Sequence, residues 1–283
     1  MPTLVLDKSV LQSAPKGWLK SRRQEGMDFL LTGALMQEIG SDGLRLGVPL
    51  SESGRSHAIS TNFRRAVMEA GNNWIDSATA VEFEITHGES AKHGPRFHLN
   101  CVPDVEMIPS ETQDASISLE RRYAKLASVG HFPDDEEYYR RIISMTEKEA
   151  LLEIDRALAS EDCAKKVVSE TAHDFAQAGR QRGLSVSSAF VPQEDWYTYG
   201  YSLALWAFLP YKFNKFHDGP PDRKKPANAM FDLEYIAACA ICDGIVSKDK
   251  DMLKLAWACW RKKRESILYF NDLDKTCSPF VPW

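Results

Sequence analysis

The sequence predicts an α/β domain built on a central parallel sheet, and three observations carry that prediction. Short apolar runs of strand length, Thr3–Leu6, Phe29–Thr32 and Ile245–Val246, stand near both ends of the chain. Helical periodicity lies beside them, from Gly33 and again from Phe231. An acid follows the first run and another the last, Asp7 and Asp249, and chemistry in open α/β sheets gathers at the carboxyl ends of strands.

In chain order, Thr3–Leu6 ends in Asp7, with Lys8 and Ser9 following. Phe29–Thr32 is a second strand, and Gly33 opens a helix that carries Glu38 early. Residues 51–62 read as a loop and Phe63–Ala70 as a helix, stopped by Gly71-Asn72-Asn73. Residues 86–115 are rich in Gly, Pro, His and Asn without a period, so they read as irregular. His87, His93, His98 and Cys101 lie there, but their spacing does not match zinc-ligand patterns.

Helices resume with an acidic first turn at Asp134–Glu137. Thr146-Glu-Lys-Glu149 is a capping-box pattern, and Leu151, Leu152, Ile154 and Leu158 form the buried face behind it. Ser160 is the expected cap of the next helix, which runs through Val167, Val168, Ala172 and Phe175 to Gly179. Trp196–Tyr211 reads as a buried aromatic helix, too short and too polar to span a bilayer. Tyr211, Lys212 and Lys215 at its end are read either as core packing with a solvated end or as a stacking contact to nucleic acid. Phe231, Tyr235, Ala238 and Cys242 recur at helical spacing, with Asp232 expected in the first turn and Asp243-Gly244 as the stop. Asp251 is a candidate N-cap for Met252–Trp257, and the tail Leu273–Trp283 reads as irregular.

The chain has 283 residues, 43% of them hydrophobic, which is ample for a sizeable core and excludes a disordered chain. A net charge of -5 argues against a globally basic nucleic-acid surface but leaves room for a local basic groove. No basic segment followed by a long apolar one opens the chain, so no signal peptide is expected. Six dispersed cysteines predict reduced thiols and a cytoplasmic setting. Cys239-Ala-Ile-Cys242 spells the spacing of a redox or zinc pair; its place in a helix, without a second pair, favours packed thiols.

Taken together, the order of acids resembles the PIN-domain nuclease family. The pattern is an apolar strand ending in Asp7, Glu38 on the helix after the second strand, a helix-borne Asp232, and a strand ending in Ser247-Lys-Asp249-Lys-Asp251. It covers about residues 3–40 and 228–260. The resemblance implies a three-layer α/β/α fold with a central parallel sheet. Here that would be a single domain built from both chain ends, about 1–50 and 220–270, with a large, mostly helical insertion at about 51–219.

The resemblance also implies a metal-dependent endonuclease, a ribonuclease acting on single-stranded RNA in preference to DNA, because most members act on RNA. Its products would carry 5′-phosphate and 3′-hydroxyl ends. Asp7, Glu38, Asp232 and Asp249 would be catalytic. With Asp251 they would also bind Mg²⁺ or Mn²⁺: Asp7, Asp232 and Asp249 directly, Glu38 and Asp251 through water. Hard cations take oxygen ligands and activate water for in-line displacement, and crowded carboxylates repel without one. Ser9, Ser247, Arg223, Lys224 and Lys225 are the substrate-side candidates, Ser9 standing where relatives frequently carry Asn. The run Arg261–Arg264 reads either as helix-dipole chemistry or as a phosphate grip.

Nucleic acid is the implied partner, with a second copy of the chain or an inhibitory protein, as in toxin-type relatives, as further partners, and no membrane is expected. Two alternatives stand beside this reading: a structure-specific DNA nuclease, and a non-catalytic PIN-like scaffold that binds a partner through its insertion.

Overall fold

Thr3–Leu6 forms strand β1, and three of its four residues are buried, so it reads as an unbroken apolar run rather than an alternating one. In the computed structural model, residues 1–35, 64–96, 141–142, 144–216 and 225–283 are described. Glu38, residues 51–62, His98, Cys101, the expected Asp134 turn, Arg223 and Lys224 lie outside the described residues.

Two short helices, α1 (Lys8–Ser13) and α2 (Trp18–Gln24), lead to β2 (Asp28–Thr32), which pairs in parallel with β1 in the register Val5↔Leu30. Residues 33–35 are helical, as are residues 64–69. A third strand, β3 (Trp74–Ile75), then pairs in parallel with the end of β2. It lies inside the stretch assigned from the sequence to the insertion, so the sheet draws on more of the chain than the two ends alone.

The helical middle follows. It comprises α3 (Ser77–His87), α4 (Glu147–Leu158), α5 (Glu161–Gln181) and α6 (Tyr197–Phe216). Thr146 and Glu149 make the full capping box at the start of α4, as the sequence predicts. Ser160 sits at the N-cap of α5 but its side chain makes no capping bond there. At α6 the cap comes from far away in sequence. Glu84 on α3 is fully buried and accepts from the N–H groups of Tyr197 at 2.6 Å and Thr198 at 2.9 Å. It also accepts from Ala91 N–H at 2.9 Å, so one carboxylate satisfies donors at two helix starts.

The chain then returns to the sheet. Helix α7 (Lys225–Ala238) runs into a short 3₁₀ turn, Cys239–Ile241, and β4 (Gly244–Ser247) pairs in parallel with β1. Asp232 was expected in the first turn of this helix, but the helix starts at Lys225, so Asp232 lies about two turns in. Pro226, tolerated in a first turn because its missing N–H has no partner there, marks the earlier start. Asp243 ties the beginnings of the two strands together. It accepts Thr3 N–H on Oδ2 at 2.7 Å and donates its own N–H to Thr3 O at 2.8 Å.

Helix α8 (Lys250–Cys259) and a 3₁₀ segment (Arg261–Ser266) lead to β5 (Ile267–Asn271), parallel to β4. A Cβ on Gly244 would lie 2.0 Å from Ser266 O, so only glycine permits this approach. The tail, expected to be irregular, supplies the antiparallel edge strand β6 (Thr276–Pro279). Its Pro279 suits an edge, where the missing N–H breaks no ladder.

The result is a six-stranded, mostly parallel sheet in the order β3-β2-β1-β4-β5-β6. The chain moves outward from β1 to β3 on one side and from β4 to β6 on the other. The strand order therefore reverses between β1 and β4, the place where open α/β sheets hold their ligands. Among the described residues, no helix is long and apolar enough to cross a membrane.

Candidate active site

At the carboxyl edge of the reversal point, β1 runs straight into Asp7 and β4 into Ser247, Lys248 and Asp249. Asp7 N–H donates to Val246 O at 3.2 Å, which extends the pairing of the strands to the edge. The Asp7 side chain is only 6% exposed. Two hydroxyls hold it: Ser247 Oγ donates to its Oδ2 at 2.6 Å, and Ser9 Oγ donates to the same oxygen.

The direction of those bonds is fixed by the backbone. Ser9 Oγ accepts from Lys248 N–H at 3.1 Å, and Ser247 Oγ accepts from Asp249 N–H at 2.8 Å. An N–H can only donate, so each hydroxyl proton is directed to Asp7. Burial pushes the Asp7 carboxyl above its ordinary pKa; the serine bonds oppose this, and the nearby Asp249 charge adds to it.

Asp249 is the exposed partner. As the N-cap of α8 it accepts Asp251 N–H at 2.8 Å and Met252 N–H at 3.1 Å on Oδ1. Asp251, read from the sequence as the N-cap, lies instead in the first turn of α8, because the helix starts one residue before it, at Lys250. Asp7 Oδ2 and Asp249 Oδ1 are thus committed to hydrogen bonds, and the Ser9 backbone N–H also acts on the Asp7 carboxyl.

The other expected site residues divide. Asp232 is partly exposed on α7, Lys225 opens that helix, and Glu38, Arg223 and Lys224 lie outside the described residues. Ser247 is fully buried, so its hydroxyl orients Asp7 rather than facing a substrate, and Ser9 does the same from a partly buried position. Among the described residues no three Asp, Glu, His or Cys side chains are gathered closely enough to hold a metal ion by themselves. The acid whose charge acts on Asp7 is Asp249, at the end of the neighbouring strand. A donor set of two carboxylates and hard oxygens fits Mg²⁺ or Mn²⁺, since Mg²⁺ characteristically binds through one or two carboxylates and keeps several waters.

Three acids near this edge were not read from the sequence. Asp76 follows β3 as Asp7 follows β1, and it caps α3 by accepting Thr79 N–H at 2.9 Å. Gly33 makes room for it, since a Cβ there would sit 3.0 Å from Asp76 Oδ1. Glu234, on α7, accepts from Ser77 Oγ at 2.5 Å; its carboxyl is raised by burial, with the Asp76 charge adding to the effect. Glu147, the first residue of α4, accepts from the buried Tyr211 hydroxyl at 2.6 Å. The Trp74-Ile75-Asp76 run repeats the apolar-then-acid pattern of Leu6-Asp7 and was the available signal for the first of these.

The basic run after α8 belongs to the opposite edge. Arg261 and Arg264 both pair with Asp155, at 2.8 and 2.6 Å, and Arg264 also stacks 3.4 Å over the Trp257 ring. Lys263 donates to the carbonyls of Cys239, Ala240 and Cys242, closing the 3₁₀ turn there. Lys262 pairs with Glu194 at 2.6 Å. Each of these cations thus has an acidic or carbonyl partner within the fold. Tyr211 is likewise fully buried, which removes it as a stacking platform for bases.

Cys239 and Cys242 are both buried, and burial pushes the Cys242 thiol up to about 12, the behaviour of packed apolar thiols rather than a reactive pair. His87 stacks on Phe83 at the end of α3 with its Nδ1 3.0 Å from Phe83 O. Comparison with protein-family models, with curated proteins and with solved structures returned no match.

Proposed function

We propose that the chain is a divalent-metal-dependent phosphodiester hydrolase, a ribonuclease acting on single-stranded RNA, with the PIN-like three-layer α/β/α arrangement. One observation carries the reading. The two strands that flank the reversal of strand order, β1 and β4, each deliver an aspartate to the same edge, and one of the two is buried with no cationic partner among the described residues. A carboxylate held in that way serves the fold poorly and a cation well.

In this reading Asp7 and Asp249 offer carboxylate oxygens to Mg²⁺ or Mn²⁺. Ser9 and Ser247 keep Asp7 in one rotamer by bonding its Oδ2. Asp232 is expected from the sequence to bind directly; because no three acids are gathered among the described residues, it is assigned, with Glu38 and Asp251, to act through water, and Arg223, Lys224 and Lys225 meet the phosphate backbone. The chemistry that a bound divalent ion supplies is a water of lowered pKa and neutralisation of charge on the departing oxygen.

The test is cleavage of end-labelled single-stranded RNA and DNA by wild type, Asp7→Asn and Asp249→Asn, with Mn²⁺, with Mg²⁺ and with EDTA. Expected is metal-dependent cutting of RNA that leaves 5′-phosphate ends and is lost in both variants. Equal cutting by wild type and variants would overturn the assignment of the acids. Cutting of DNA alone would replace RNA as the substrate.

A further inference from the structure

The strands of the carboxyl edge place an aromatic ring in line with the acids. Tyr269 of β5 is in register with Ser247 of β4, and Ser247 Oγ donates to Asp7 at the end of β1. Residues in register on neighbouring strands face the same side of a sheet, so Asp7, Ser247 and Tyr269 form one row. Two strand spacings separate its ends, roughly 10 Å. Alternation turns Phe270 the opposite way, where it packs edge-on against Trp18 of α2 at 5.0 Å.

Tyr269 is only partly buried, and its cover is an exposed side chain. Lys250 opens α8, and its Nζ lies 5.4 Å from the centre of the Tyr269 ring. The two lysines that flank Asp249 differ in this respect. Lys248 Nζ pairs with Asp272 and donates to Ser13 Oγ at 2.8 Å, whereas Lys250 forms no ion pair among the described residues. An ammonium over a solvent-facing ring is held weakly, and a base stacked on the same ring is held more firmly. Single-stranded nucleic acid is bound in that manner, by rings that stack bases and cations that follow the backbone.

We propose that Tyr269 and Lys250 form a nucleotide subsite beside the acidic edge: the ring stacks one base of a single strand, and the ammonium moves from the ring to the adjoining phosphate. The inference rests on the reading of single-stranded RNA as the substrate and extends it to residues that hold the strand next to the bond that is cut. Tyr211, enclosed in the core, cannot supply such a ring, whereas Tyr269 at the end of the row can.

Fluorescence anisotropy of a labelled single-stranded RNA in EDTA tests it, with an abasic strand of equal length beside it and cleavage in Mn²⁺ measured in parallel. The chains are wild type, Tyr269→Phe, Tyr269→Leu and Lys250→Gln. Tyr269→Leu is expected to weaken RNA binding about tenfold and to leave binding of the abasic strand within about twofold of wild type. Tyr269→Phe, which keeps the ring, stays within about twofold on both strands. Lys250→Gln makes the slope of log affinity against log salt shallower by about 0.7, the share of one phosphate contact on a single strand.

Unchanged RNA affinity in Tyr269→Leu would overturn the inference. So would an equal loss on the abasic strand, which marks damage to the fold, or an unchanged salt slope in Lys250→Gln. Each of these results leaves metal-dependent cutting by wild type in place. A wild type that neither binds single-stranded RNA nor cuts it overturns instead the reading of RNA as the substrate, and this inference with it.

Discussion

Asp7 and Asp155 are buried to the same degree, 6% exposed each, and the protein treats them in opposite ways. Asp155, on α4 beside the amino edge of the sheet, receives two guanidinium groups, Arg261 and Arg264. Asp7, at the carboxyl edge, receives two serine hydroxyls and the proximity of another aspartate. Burying a carboxylate is costly without an opposite charge, so the first arrangement supports the fold. The second leaves charge uncompensated where strand order reverses. Burial alone therefore does not distinguish the two acids; the kind of partner does.

Glu84 sharpens the contrast as a third case. It is fully buried and pairs with no cation among the described residues, yet it accepts from three backbone N–H groups and the Thr198 hydroxyl. It joins α3 to the start of α6, a structural task that backbone donors complete.

The comparison can be broken by substitution, beginning with the largest expected effect. Asp155→Ala leaves two arginines facing each other and should cost about 3 kcal/mol in urea unfolding, the low end for a buried pair because Arg261 remains about half exposed. Glu84→Gln places an amide against four donors and should cost about 2 kcal/mol by the same measurement, with faster hydrogen exchange in the first turn of α6. Ser247→Ala removes one of the two hydroxyls on Asp7 and the acceptor for Asp249 N–H, for a loss of about 1 kcal/mol.

Asp7→Asn should have the opposite sign. Burial raises the Asp7 carboxyl, so the folded chain retains a proton that the unfolded chain releases. Stability conferred by the protonated form is therefore lost as pH rises from the ordinary carboxylate range through the raised value. In metal-free buffer near neutrality Asp7→Asn is expected to be more stable than wild type, with that part of the pH slope removed. A variant less stable than wild type at every pH would show that Asp7 serves the fold as Asp155 does.

The sequence makes the inner sheet visible because β1, β2 and β4 are buried runs whose apolar character needs no periodicity to be recognised. Asp7 and Asp249 are visible for the same reason, since each interrupts such a run at its end. Elements defined by partners are hidden. Trp74–Ile75 has only two residues and becomes a strand through Leu31 and Thr32 of β2. Thr276–Pro279 is a largely exposed edge that exists by pairing with β5. Helix α3 carries Glu84 on its buried side, which breaks the apolar period that would announce a helix. The contact between Glu147 and Tyr211 joins residues 64 positions apart, a distance over which spacing carries no information. The basic run Arg261–Arg264 misleads in the other direction, because its partners Asp155 and Glu194 are equally remote.

The most direct test of the central claim is thermal unfolding of wild type, Asp7→Asn and Asp155→Asn, each in EDTA and in excess Mn²⁺. The account predicts that in EDTA Asp7→Asn melts above wild type and Asp155→Asn below it. Mn²⁺ at about a hundred times its dissociation constant should stabilise wild type and Asp155→Asn by about 2.7 kcal/mol and leave Asp7→Asn unmoved. If Asp7→Asn melts below wild type in EDTA and gains as much from Mn²⁺ as the others, the carboxyl edge holds no metal site built on Asp7, and the central claim is contradicted.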